Sequence, residues 1–225
     1  MVAPSFATKS GLVAAYGFEE GSGTQVMDSS GSGNVGVLSH AAWTDKGRFG
    51  KALDFSGNGW VTVADSPSLD LSTGMTLEAW VYPKQPLTSS ADVIVKQQSW
   101  SSSAKGASYY LAAASRSGPP IATVAAHDEL TIHGKTKVPV SRWSHLATTY
   151  DGSYQRLYVN GSLIASRRVA AGRIASGSGP LRIGGDSLWG KYFNGMIDEV
   201  RVYNRALSAA EIQADMNTPL PRTAP

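Results

Sequence analysis

The 225-residue chain contains no cysteine. Disulfide bridges, zinc–thiolate centres and thiol nucleophiles are therefore excluded. Secreted eukaryotic domains often carry a disulfide, so an extracellular, cell-surface setting in bacteria fits better. Charged residues make up only 16% of the chain, well short of the usual quarter. No apolar run approaches the roughly 20 residues that a membrane-spanning helix needs, so membrane insertion is not expected. Residues 1–10 lack the charged and apolar regions of a signal peptide. The net charge is only +3 although the pI is near 9.1. Its basic residues are scattered along the sequence, and the densest pair, Arg167-Arg168, has no basic sequence neighbour. Nucleic-acid binders show a clustered basic stripe, so nucleic acid is not expected as a partner.

What is present points to an all-β fold. Hydrophobic residues reach 42%, enough to fill a core between two sheets, and 24 glycines supply turns. Apolar and β-branched runs recur at Leu12–Phe18, Lys51–Phe55, Trp60–Ala64, Met75–Tyr82, Asp92–Lys96, Tyr109–Ala113 and Ile121–Ala126. They continue at Trp143–Tyr150, Gln155–Asn160, Ser162–Ser166, Leu181–Gly184 and Phe193–Tyr203. About a dozen strands without interleaved helices predict a sandwich or barrel. Asn160-Gly161 predicts a tight hairpin, because both residues tolerate positive φ. Only Leu207–Met216 reads as helix, with Ser208 and Glu211 at capping-box spacing. Residues 217–225 hold three prolines and read as an extended linker. The domain is placed at 11–216, with 1–10 as an N-terminal tail.

Several segments carry a family resemblance when taken in order. They are Gly11-Leu-Val-Ala-Ala-Tyr-Gly-Phe-Glu-Glu-Gly-Ser-Gly23, Asp28-Ser-Ser-Gly-Ser-Gly-Asn34, Gly47-Arg-Phe-Gly-Lys-Ala-Leu-Asp-Phe-Ser-Gly57 and Leu77-Glu-Ala-Trp-Val81. Trp143-Ser-His-Leu-Ala-Thr-Thr-Tyr-Asp-Gly152, Leu157-Tyr-Val-Asn-Gly161 and Gly195-Met-Ile-Asp-Glu-Val-Arg-Val-Tyr-Asn-Arg-Ala-Leu-Ser208 complete the set. Together they resemble the bacterial laminin G-like jelly-roll domains of the concanavalin A-like superfamily. The resemblance implies two antiparallel sheets packed face to face, with the first and last strands adjacent. It also implies an accessory module, covalently linked to neighbouring domains of a larger secreted protein. One fold hosts many functions, so the ligand stays open.

Strand alternation in Gly195–Tyr203 groups Met196, Asp198, Val200 and Val202 on one face. A carboxylate among apolar neighbours needs a cation or several donors. The loop Asp28-x-Ser30-x-Ser32-x-Asn34 offers alternating oxygen ligands of the kind calcium prefers. The resemblance adds that a calcium ion commonly ties the N-terminal loop to the last strand, with backbone carbonyls near Gly57 contributing. The expectation is a structural calcium held by Asp28, Asn34, Gly57 and Asp198. In the alternative, Asp28 and Asn34 only stabilise a turn and Asp198 accepts backbone hydrogen bonds.

Catalysis is not expected. Glycoside hydrolysis needs two carboxylates flanking one bond, but Asp198 and Glu199 are adjacent on a strand, and Glu78 has no acidic residue at 76 or 80. Gly31-x-Gly33-x-x-Gly36 follows a polar turn rather than a strand and is no dinucleotide fingerprint. His145, within a strand, reads as a packed structural histidine. Sugar sites combine aromatic platforms with planar polar groups. Trp80, Trp143, Trp43 and Trp60 are assigned to the core, whereas Trp100, Trp189 and Tyr192 lie in polar or turn-rich segments. These three, with Arg116, His127 and Asp186, are the candidate ligand contacts; in the alternative they cap the sandwich ends. The expected function is recognition of a polysaccharide or cell-surface glycan. A structural or protein–protein module is the first alternative, and a lyase or hydrolase of the same fold the second.

Overall fold

The computed structural model describes residues 9–99, 106–116, 118–126, 129–170, 172–186 and 189–222. Its described residues form fourteen strands and one α-helix. In chain order the strands are β1 (Leu12–Tyr16), β2 (Gln25–Val26), β3 (Gly36–Thr44), β4 (Ala52–Val63), β5 (Met75–Pro83), β6 (Ala91–Gln97) and β7 (Ala107–Ala114). Then come β8 (Ile121–Ala125), β9 (Glu129–His133), β10 (Ser144–Tyr150), β11 (Tyr154–Val159), β12 (Ser162–Arg168), β13 (Leu181–Ile183) and β14 (Asn194–Tyr203), followed by α1 (Ala209–Asn217). All pairs are antiparallel, in the order β12-β11-β10-β5-β14-β4-β13-β6-β7-β8-β9, with β1 on β14 and β3 on β4. The sheet folds over on itself where β14 passes to β4, giving a jelly-roll sandwich.

Alternation builds the core. Leu77, Ala79 and Val81 of β5, Leu146 of β10 and Leu157 of β11 point inward from one layer. They meet Val61 and Val63 of β4, Val93 and Ile94 of β6, and Leu111 and Val124 of β7 and β8. A second, smaller apolar cluster lies outside the first layer, where Leu207 and Ile212 of the α1 region cover Ala147, Tyr158 and Tyr203. The capping box forms as expected: Ser208 accepts the Glu211 N–H, and the Glu211 carboxylate accepts the Ser208 N–H. Asn160 and Gly161 hold φ of 50° and 74°, as the tight hairpin requires.

Three expectations need correction. The runs Lys51–Phe55 and Trp60–Ala64 are one strand, β4, kinked at Gly57 (φ +86°), where the pairing with β3 passes from Phe55 opposite Ala41 to Trp60 opposite Ser39. Gly59 lets β3 approach: a Cβ there would sit 2.2 Å from the His40 carbonyl oxygen. Second, β2, β3 and β9 are strands that the expected runs did not include. Third, β14 carries a bulge between Asp198 and Arg201, with Glu199 at φ +54°. A one-residue slip exchanges the faces. Ile197, Val200 and Val202 therefore share the core, while Asp198 pairs across to Trp80 on the opposite face. The segment after α1 also packs: Leu220 is buried and its N–H donates to Glu199.

Candidate functional site

The outer face of the second layer carries the exposed rings. With Val61 and Val63 pointing inward, β4 must send Trp60 and Thr62 outward. Pairing register then lays a row across the sheet, Thr62–Arg182–Val95–Tyr110–Thr123–Thr131. Trp60 donates its indole N–H to Thr62 Oγ1 at 3.1 Å, and the Arg182 guanidinium donates to the same oxygen. Arg182 lies 5.5 Å from the Trp60 ring centre, and burial holds its pKa below the usual value. Tyr192 stacks on Trp60 at 5.9 Å with the rings 25° apart. Lys191 sits 5.1 Å from the Trp189 ring and 5.7 Å from that of Tyr110. Trp60, Tyr110, Trp189 and Tyr192 are each half-buried, so part of every ring remains open to solvent.

The segment bearing Trp189 and Tyr192 is held from below. Gly184 accepts the Phe193 N–H at 2.9 Å, closing the loop. At Gly185 a Cβ would lie 2.6 Å from the Tyr192 ring, so only glycine lets that ring fold back. Asp186 is fully buried and accepts the Trp189 N–H at 2.6 Å. Asp92 of β6 is a buried neighbour. Burial, reinforced by Asp186, raises the Asp92 pKa well above the carboxylate range, while the Lys191 charge opposes this. Asp92 Oδ1 and Asp186 Oδ2 have no hydrogen-bond partner.

A profile of the concanavalin A-like lectin/glucanases superfamily matches residues 55–213. The chain belongs to that superfamily. Among solved structures it is similar to domain 4 of AbnA, a GH43 extracellular arabinanase from Geobacillus stearothermophilus, in complex with arabinotriose. There the identity is 21% and the TM-score 0.73, covering 92% of this chain and 98% of that one. The binding domain of Paraclostridial Mosquitocidal Protein 1 is similar at 18% identity and TM-score 0.70, covering 94% of this chain and 53% of that one. Both likenesses concern the fold. A stretch of 90 residues is 36% identical to pappalysin-1 of Mus musculus, spanning 36% of this chain and only 6% of that protein.

Of the ligand contacts expected from sequence, this superfamily member brings Trp189, Tyr192 and Asp186 together. Asp186 lies beneath the surface rather than on it: it is fully buried, and Oδ1 accepts the Trp189 N–H. Arg116 is exposed in the turn after β7, which places it with other residues. Trp100 and His127 lie outside the described residues. Trp60, taken from the sequence as core, is the centre of the platform; the Val61/Val63 alternation was the signal that places it outward. Arg182, Lys191 and Tyr110 carried no sequence signal, because only the register across three strands joins them.

The polar groups of three of the four expected calcium ligands have protein partners. Asp28 Oδ1 accepts the N–H groups of Ala15 and Ser30, and Oδ2 accepts the Ser30 hydroxyl and the Asn34 N–H. Asn34 spends its amide on the Val13 carbonyl and Ser68. Asp198 takes the N–H groups of Phe49 and Glu199, and burial raises its pKa to about 8. Gly57 lies beside Asn194. Donors of this kind occupy the lone pairs a cation would need, so the residues do not fit the expected centre. Among the described residues no group of three or more His, Asp or Glu side chains is arranged to hold a metal.

The outer face of the first layer holds buried polar groups, beside a pocket of about 300 Å³ lined by Arg48, Trp80, Trp143, Asn160, Met216 and Asn217. Glu78, His145, Arg201 and Tyr203 lie buried beneath α1 and the segment after it. Arg201 donates to Glu199 Oε2 and to the Thr218 carbonyl at 2.7 and 2.6 Å. The His145 ring sits 5.3 Å from Trp80, and neither nitrogen has a partner.

Proposed function

We propose that this domain is a non-catalytic carbohydrate-recognition module that holds a larger secreted protein on a glycan. The observation that carries the reading is the stacked Trp60–Tyr192 pair, half-open to solvent and flanked by Arg182, Thr62 and Lys191. Flat rings bury the apolar face of a sugar at little entropic cost, and the polar rim orients its hydroxyls. The architecture shared with a domain seen bound to arabinotriose supports the same reading. A hydrolase is disfavoured by the Asp92–Asp186 pair. Carboxylates that flank a glycosidic bond stand about 5 Å or more apart, with substrate between them, whereas these two are buried beneath the surface. Calcium is no part of this proposal. A glycan array followed by affinity gels with the retained polysaccharides tests it. Binding that Trp60→Ala abolishes supports the reading; a protein that no glycan retards refutes it.

A further inference from the structure

Basic residues that are scattered in sequence meet at the edge where the sheet nearly closes on itself. The turn after β7 carries Arg116 and is tied by Ser115 N–H donating to the Pro119 carbonyl at 2.8 Å. Pro120 accepts the Gly134 N–H at 2.7 Å, which brings this turn against the segment following β9. There the Lys137 side chain crosses Gly118, where a Cβ would lie 2.4 Å from Lys137 Cε. Gly134 in turn packs against Ile164 of the edge strand β12. Three residues further on, Arg167 reaches back and donates to the Thr131 carbonyl of β9 at 3.2 Å. Arg116, Lys135, Lys137 and Arg167 therefore share one surface, and all four are exposed.

Two features make this more than a solvated face. None of the four cations takes part in a salt bridge among the described residues. The nearby acid Asp151 is already paired with Arg156 at 2.6 Å, and Glu129 sits at the other end of β9. Second, Lys135 and Lys137 rim a groove of about 390 Å³ floored by Val138, Pro139, Val159 and Ile164. Charges within about 10 Å of one another reinforce each other at moderate salt, so the surface attracts a partner that carries repeated negative charge. The groove's lining is aliphatic and offers no ring for a base to stack on, which disfavours single-stranded nucleic acid. An extended chain with apolar ring faces and regularly spaced anionic groups fits both the floor and the rim.

The geometry points to a second binding surface, separate from the Trp60–Tyr192 platform, for an acidic polysaccharide bearing carboxylate or sulfate groups. The test uses native affinity gels containing dextran sulfate, polygalacturonate or neutral dextran, with a duplex DNA titration alongside. Retardation by at least one acidic polysaccharide is expected, none by neutral dextran, with binding weakening steeply between about 50 and 200 mM salt. Lys135→Glu/Lys137→Glu should weaken it at least about tenfold while keeping the wild-type melting temperature and any binding of neutral glycans at the platform. Arg116→Ala provides a milder second variant with a smaller loss in the same direction. Absence of retardation, an unchanged double variant, or tighter binding to duplex DNA than to either acidic polysaccharide overturns the assignment. Loss of neutral-glycan binding in the double variant would overturn the separation of the two surfaces.

Discussion

Glu78 and Arg201 face each other across β5 and β14, yet neither carboxylate oxygen of Glu78 receives a hydrogen bond. Arg201 turns instead to Glu199 and the Thr218 carbonyl. Glu78 is left fully buried beneath the helix, where desolvation outweighs the Arg201 charge and pushes its pKa from 4.5 up to about 8. The carboxyl is thus protonated in the folded state at neutral pH.

Stability should accordingly fall as pH rises from 6.5 to 8. In that interval the folded protein keeps protons on Glu78 and Asp198 that the unfolded chain has already released. Each group then contributes a loss of up to about 1.4 kcal/mol per pH unit. His145 acts in the opposite direction: burial lowers its pKa from 6.5 to about 3, so acidification below 6.5 favours the unfolded chain. Calorimetric melting of wild type and Glu78→Gln across this range checks the point. The variant should show a shallower alkaline decline, and parallel slopes would contradict a protonated Glu78.

Removing the guanidinium of Arg201 should cost about 3–5 kcal/mol, because it leaves the buried Glu199 carboxylate unpaired. Urea unfolding of Arg201→Ala against wild type measures this. A loss below about 1 kcal/mol would mean that water reaches Glu199 and that the pair resembles a surface bridge.

Chelation should leave the melting temperature unchanged to within about 1 °C, since ligand linkage requires a site that the native state binds and the unfolded chain does not. Asp28 and Asp198 are satisfied by protein donors in the structure. Melting with excess calcium and with EDTA decides it; a clear rise with calcium would restore the metal centre expected from sequence.

At the platform, Trp60→Ala and Tyr192→Ala should each weaken glycan binding by about tenfold or more, as buried aromatic anchors do. Gly185→Ala should do so indirectly, because a Cβ there would displace the Tyr192 ring without touching the ligand. Isothermal titration with the best array hit separates these from Arg182→Lys, which keeps the charge but loses the planar fork over Trp60.

The recurring apolar and β-branched runs and the Asn160-Gly161 turn made the sandwich legible in the sequence, because each depends on neighbours in the chain. Trp189 and Tyr192 were legible as rings in turn-rich sequence. What escaped depends on pairing between distant strands. The bulge at Glu199 reverses the face of Asp198, and no local residue pattern announces it. Trp60 joins Arg182 only through the β4–β13 register, and Arg116 joins Lys137 only through the turn that rests on Gly118. The calcium expectation counted oxygens, whereas the structure shows which N–H groups donate to those carboxylates.

The helix-covered side also gathers the two chain termini of the described fold. Lys9 bridges to Asp215 of α1, and Ser10 accepts from Arg205. The aromatic platform occupies the opposite flank of the sandwich. A ligand that docks on Trp60 and Tyr192 therefore approaches from the flank opposite Lys9 and α1.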